Sequence, residues 1–330
     1  MLHRAVFSTL FTLLLFSTTT VVAQPLPVKT VEFTAESVGR KMKYNLVLPV
    51  DYNSSSERYP VLYLLHGLTS NYTLWAKMNV PRFAQTYKLI VVMPDVGNSW
   101  YVNWSKCDDG KKHQWEDFIV KDLVGHVDAT YRTVANRPGR AINGLSMGGY
   151  GAMMLGLRHP DMFCSIGSHS GALGFALKTG ESMAVGKQPE FMLRDLSDEP
   201  NKLVNIEGFN SPRERTPKGQ IFATQAECDA HDPFKLVLKV DRDKLPHIYL
   251  DCGTDDRLIE ASQKFARLLM EHNIPFTYAQ SRGGHVPPYW AREVEHSMAV
   301  HYAMLQRNLA QASPPEKPAT ATGSTGTAQP

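Results

Sequence analysis

The chain has 330 residues, 43% hydrophobic and 20% charged, with 35 Lys+Arg against 32 Asp+Glu for a net charge of +3. That balance excludes a disordered or collagen-like chain. The only basic groupings are Lys111–Lys112 and a dilute Arg213/Arg215/Lys218 set, which excludes a nucleic-acid footprint or a polybasic membrane patch.

The first 23 residues read as a secretory signal peptide. Arg4 gives a positive start, residues 5–16 are mostly apolar, and Val21-Val22-Ala23 offers small or compact residues at a cleavage site after Ala23. The apolar run is short for a membrane span. The expected location is secreted or periplasmic, with no stable membrane insertion after cleavage. Export permits disulfides. Cys164 and Cys252 lie in apolar, strand-like runs and read as buried thiols, whereas Cys107 and Cys228 lie in polar loops and form the candidate bridge.

Residues 28–36 and 41–48 are extended around a turn at Gly39 and predict an antiparallel hairpin. Residues 61–65 and 89–93 are continuous apolar runs, as suits central parallel strands covered on both faces. Shorter strands are predicted at 140–143, 163–168, 248–251 and 276–278. Helical spacing marks 115–131, through Phe118, Ile119, Leu123, Val124 and Val127, and marks 147–157 and 261–272. The pattern predicts an α/β fold: one mostly parallel, doubly wound sheet with an antiparallel N-terminal hairpin. From 174 to 239 the alternation breaks. This stretch reads as an insertion between the sixth and seventh strands, acting as a cap near the site. The domain then spans 24–312. Residues 313–330, nearly devoid of large apolar side chains, read as a disordered tail.

The chemistry concentrates at Gly144-Leu145-Ser146-Met147-Gly148, between a predicted strand and a predicted helix. That is the setting of a nucleophile elbow. Glycines two residues either side of Ser146 let the turn close and lift its hydroxyl above the sheet. A hydroxyl needs a base, and the base needs an orienting acid. In this architecture they follow in the order serine, acid, histidine. His285, in Gly283-Gly284-His285, is the base. Asp255 and Asp256, past the 248–251 strand, compete for the acid, one facing the histidine and the other capping the next helix. The oxyanion donors are the N–H of Met147 and, in the turn His66-Gly67-Leu68, the N–H of Leu68. His66 itself reads as structural.

These motifs resemble the putative-esterase family of α/β-hydrolases, which includes tributyrin, feruloyl and acetylxylan esterases, S-formylglutathione hydrolases (esterase D) and mycolyltransferases. The matching stretches are YPVLYLLHGLTSNYTLW (59–75), VVMPDVGNSWYVNW (91–104), GRAINGLSMGGYGAMMLGLRHPDMF (139–163), DCGTDD (251–256) and GGHVPPYW (283–290). The resemblance implies an α/β-hydrolase fold with Ser146 as nucleophile, His285 as base and Asp256 as acid, and it supports Leu68 and Met147 as oxyanion donors. His66 places the chain on the tributyrin- and polysaccharide-esterase side. Trp75, Trp100, Tyr101, Trp104 and Trp290 lie in or near these loops. They stack on a sugar or aromatic acyl group, or else pack the core; Trp75, Trp100, Tyr101 and Trp290 are taken as substrate-binding.

Cys228 and His231 have a metal-like spacing but no second pair, so no metal is expected. The absence of a phosphate loop or dinucleotide fingerprint predicts no cofactor. Asn53, Asn71 and Asn103 head glycosylation acceptor triplets. The function expected is an exported serine carboxylesterase acting on short-chain or carbohydrate-linked acyl esters. The partner is a small-molecule or polysaccharide ester, with no nucleic acid. The alternatives are acyl transfer to a sugar hydroxyl and, without catalysis, glycan binding on a hydrolase scaffold.

Overall fold

The computed structural model describes residues 24–107, 110–186 and 219–312. The predicted signal peptide, the predicted disordered tail and the middle of the predicted cap lie outside the described residues.

Eight strands form the central sheet: β1 Val28–Ala35, β2 Arg40–Val47, β3 Val61–Leu65, β4 Ile90–Pro94, β5 Arg140–Leu145, β6 Ser165–His169, β7 His247–Gly253 and β8 Phe276–Ser281. Their order is β1-β2-β4-β3-β5-β6-β7-β8. β1 and β2 are antiparallel, and β2 runs antiparallel to β4. All other neighbours are parallel. The hairpin and the parallel core were both legible. β5, β7 and β8 run two or three residues further than expected, because parallel pairing continues past the apolar runs that mark them.

Alternation along β3 builds a core on both faces of the sheet. Val61, Tyr63 and Leu65 join the cluster that includes Phe118, Leu123 and Met153. Leu62 and Leu64 point the other way, with Trp75, Val294 and Met298. The helix predicted over 115–131 forms as a continuous run with a π turn, Phe118–Leu123, in its middle. The elbow helix, Met147–Arg158, is apolar all round and buried along nearly its whole length, as a central helix should be.

The stretch after β6 is more regular than expected. It contains helices Phe175–Ala184, Gln225–Ala230 and Pro233–Leu236. Gly219–Gln220 pairs antiparallel with Lys106–Cys107. A capping box, Thr224 with Glu227, starts the second helix, and its Thr-x-x-Glu spacing was readable in the sequence. Ser105 ties this segment to the loop after β4, donating its amide to the Ile221 carbonyl and its hydroxyl to Glu227 Oε2. No disulfide joins Cys107 to Cys228; the Cys228 thiol lies 3.9 Å from Met183 Sδ instead. Burial pushes the thiols of Cys164 and Cys252 up to about 12, so both are inert packing groups.

Candidate active site

Ser146 ends β5 and starts the elbow helix with φ 55° and ψ −116°. This is a strained conformation for a residue with a side chain, and strain of this kind persists only where the surroundings enforce it. The surroundings do so here. The Ser146 amide donates to the His169 carbonyl at 2.9 Å, and its own carbonyl accepts the amides of Tyr150 and Ala172. A Cβ at position 144 would stand 2.3 Å from the Gly148 carbonyl oxygen, and one at 148 would stand 2.4 Å from the Leu65 oxygen. Both glycines are therefore sterically required.

His285 reaches Ser146 from the loop after β8. Its Nε2 lies 2.9 Å from Ser146 Oγ. Its Nδ1 lies 2.9 Å from Asp256 Oδ2 and 3.1 Å from Oδ1. The two loops are stitched together by the Asp255 amide on the Gly283 carbonyl and the Thr254 amide on that of Ser281. The choice between the two aspartates resolves in one direction. Asp255 is exposed, whereas Asp256 is buried and faces His285, its Oδ1 also accepting the Leu258 amide at 2.8 Å in the turn before the next helix. Burial opposes ionisation of Asp256, yet its carboxyl is held below the usual range. The hydrogen bond and charge of His285 outweigh the burial, helped by the Leu258 amide and the Ser170 hydroxyl.

The turn His66–Leu68 follows β3 directly beside Ser146: a Cβ on Gly67 would lie 3.3 Å from Ser146 Cβ. Among the described residues, no protein acceptor takes the amide N–H of Leu68 or of Met147. Three side chains in hydrogen-bond series, a strained serine at a helix start and two uncommitted amides nearby can together carry out acyl transfer.

The aromatic residues set aside for substrate stand differently. Trp75, Trp100 and Tyr101 are buried, which corrects the expectation that their rings offer a stacking surface. Trp75 Nε1 donates to the Leu65 carbonyl, Trp100 stacks on Phe175, and the Tyr101 hydroxyl donates to the His66 carbonyl. For Trp75 and Tyr101, a polar ring edge that finds a backbone oxygen allows the ring itself to leave water. Trp104 is buried too, with Nε1 on the Ser99 carbonyl. Trp290, 6% exposed, packs perpendicular to the His285 ring at 4.9 Å and so supports that ring. His66 is fully buried and structural, as expected. His231 turns to Glu116 and the Glu227 carbonyl rather than pairing with Cys228.

One constellation escaped the sequence reading. Asp251 Oδ2 lies 2.5 Å from His169 Nδ1, with both side chains buried, and His169 Nε2 lies 2.9 Å from Ser297 Oγ. Asn143 Nδ2 joins them, 3.0 Å from His169 Nε2 and 3.0 Å from Ser297 Oγ. The one available signal was a carboxylate, Asp251, inside an otherwise apolar strand, where a charge needs a partner.

Comparison with known proteins agrees with this fold. A family model described as "Putative esterase" matches residues 35–305. An esterase of Mycobacterium tuberculosis is 27% identical over 273 residues, covering 77% of this chain and 54% of its own length. The chain thus spans about half the length of the curated relatives it matches first. An acetyl esterase of Caldicellulosiruptor saccharolyticus is 24% identical over 276 residues, covering 80% of this chain and 94% of its own. The solved structure of a ferulic acid esterase superposes with a TM-score of 0.63 at 23% identity, covering 84% of this chain and 98% of that one.

Proposed function

The chain belongs to the family described as "Putative esterase", and on that premise we propose that it is an exported serine carboxylesterase acting on short-chain or carbohydrate-linked acyl esters. One observation carries the reading: the Ser146–His285–Asp256 series stands within hydrogen-bond reach beside two uncommitted backbone amides. The acetyl esterase relative supports a small acyl group, and the likeness to a ferulic acid esterase fold keeps sugar-linked aromatic acyl groups among the candidates.

In this mechanism His285 Nε2 takes the Ser146 proton as Oγ attacks the ester carbonyl carbon. The carbonyl π electrons move to oxygen, where the Leu68 and Met147 amides receive the negative charge. Asp256 stabilises the imidazolium and fixes its orientation. Collapse of the tetrahedral species breaks the bond to the alcohol oxygen, which leaves with the proton from His285. Water, deprotonated by the same imidazole, then attacks the acyl-enzyme, and Ser146 leaves with that proton to free the acid. A sugar hydroxyl in place of that water yields acyl transfer by the same steps.

The test is hydrolysis of p-nitrophenyl acetate, butyrate and octanoate, methyl ferulate and acetylated xylan, each beside Ser146→Ala. Serine-dependent release is expected, with the preferred acyl group defining the substrate class. Equal turnover by Ser146→Ala would overturn the assignment. Product analysis with a sugar acceptor separates free acid from transferred acyl group. Export rests on the 1–23 pattern, and protein recovered outside the cytoplasm should begin at Gln24.

A further inference from the structure

The proposed chemistry needs the Leu68 amide aimed at the reacting carbonyl, yet a peptide unit next to glycine rotates easily. A flipped 66–67 or 67–68 peptide would present an oxygen where a donor is required. The turn is held against this at successive positions. The Leu65 carbonyl accepts Trp75 Nε1–H at 3.0 Å, and the His66 carbonyl accepts the Tyr101 hydroxyl at 2.8 Å. The Gly67 carbonyl lies 2.8 Å from His66 Nδ1. Because His66 Nε2 accepts the Val96 amide at 3.2 Å, the ring proton resides on Nδ1, which donates. On the far side Thr69, at φ 63°, donates its amide to Asn98 Oδ1 at 2.8 Å. Three successive carbonyls and one amide are engaged, and the Leu68 amide between them is left over.

Tyr101 is the member of this clamp whose placement is hardest to obtain. Trp100 and Tyr101 are both left-handed, at φ 59° and 60°. Consecutive left-handed residues with large side chains are strained, and such strain persists where placement matters. The turn seats the Tyr101 ring against Gly151 of the elbow helix, where a Cβ would come within 2.4 Å of the ring. It also stacks Trp100 on Phe175, with centroids 3.6 Å apart and planes 7° apart. We propose that Tyr101 is a positioning residue of the oxyanion hole, its hydroxyl fixing the His66–Gly67 peptide so that the Leu68 N–H faces the reacting carbonyl. The proposal rests on the acyl-enzyme reading given above.

Tyr101→Phe deletes one hydroxyl. The expected result is a fall in kcat of about tenfold with KM within about twofold, as for an interaction made mainly in the transition state. Affinity for a phenylboronic acid, whose tetrahedral adduct places an oxygen in the hole, falls in step, while that of the product carboxylate holds. Tyr52→Phe is the control. It removes a tyrosine hydroxyl that accepts the Arg132 amide at 3.0 Å, packed against the same core cluster but away from the turn and the elbow. Its kcat and boronate affinity should stay at wild-type values. Asn98→Ala releases the Thr69 amide and reproduces the kcat-against-KM split if Tyr101→Phe folds poorly. Wild-type kcat in folded Tyr101→Phe, or equal losses in Tyr101→Phe and Tyr52→Phe, overturns the proposal. Fluorophosphonate labelling of wild type and Ser146→Ala runs alongside. A wild type that does not label overturns the acyl-enzyme reading and this proposal together. A labelled wild type beside a normal Tyr101→Phe overturns this proposal alone.

Discussion

Among the described residues stand two Ser–His–Asp arrangements of nearly the same dimensions. In one, Ser146, His285 and Asp256 stand 2.9 Å apart at each step, and the imidazole is partly open to solvent. In the other, Ser297, His169 and Asp251 stand 2.9 Å and 2.5 Å apart and are wholly buried. The difference lies in the surroundings. Ser146 occupies a strained turn at a helix start, beside uncommitted amides. Ser297 lies inside the regular helix Pro287–Ala312 and donates to the Val294 carbonyl at 3.0 Å. The Asn143 amide already occupies His169 Nε2. Three residue types at the right spacing therefore do not make a catalytic group; access, a free proton path and oxyanion donors do. We read the buried set as a brace that joins β5, β6, β7 and the C-terminal helix beneath the elbow.

The comparison can be broken most directly at the two serines. Ser146→Ala should lower kcat by about 10⁴-fold or more with little change in melting temperature, whereas Ser297→Ala should keep kcat within a few-fold. Comparable losses in ester-hydrolysis assays would refute the distinction. The two acids come next. Asp256→Asn should cost kcat about 10⁴-fold, by analogy with the loss of an orienting carboxylate in other triads. Asp251→Leu should instead cost stability, about 3–5 kcal/mol in urea unfolding, because it strands His169 in the interior.

The smallest effect concerns pH. His301 packs beside the buried set, with Nδ1 2.8 Å from Ser165 Oγ. Burial first, then the charges of His247 and His169, push its imidazole down to about 3. In the unfolded chain it titrates near ~6.5. Below that pH the unfolded state binds a proton that the folded state refuses. Stability should therefore decline as pH falls from ~6.5 towards about 3, by up to ~1.4 kcal/mol per pH unit. His301→Gln should flatten this slope in urea titrations between pH 6.5 and 5. Asp256 adds no such slope there, since its carboxyl is held below the usual range and stays ionised.

What the sequence made legible follows from how local each demand is. The elbow and the Gly-Gly-His turn are steric requirements expressed within five residues, so Ser146 and His285 could be read directly. The acid could not be chosen on chemistry alone, because adjacent aspartates each suit a cap or a relay; family resemblance favoured Asp256, and Asp256 is the one that faces His285. The buried set was invisible because Asn143, His169, Asp251 and Ser297 come from four separate elements, and only the closing of the sheet brings them together. The tryptophans misled for a related reason. A large ring in a loop looks available until its N–H finds a carbonyl, as that of Trp75 does.

The stack of Trp100 on Phe175 bears on how members of this family can be recombined. The segment containing Phe175 leaves the chain after β6 and returns before β7, and so invites exchange between relatives as a module. A transplant that placed an aliphatic side chain at 175 would keep the sheet and the Ser146–His285–Asp256 series. It would remove the support under Trp100, whose neighbour holds the His66 peptide. Such a chimera should turn over every ester slowly and to the same degree, a loss easily mistaken for an unmet substrate preference. A flat ring at 175 is thus a compatibility rule for the graft, separate from whatever the rest of the segment recognises.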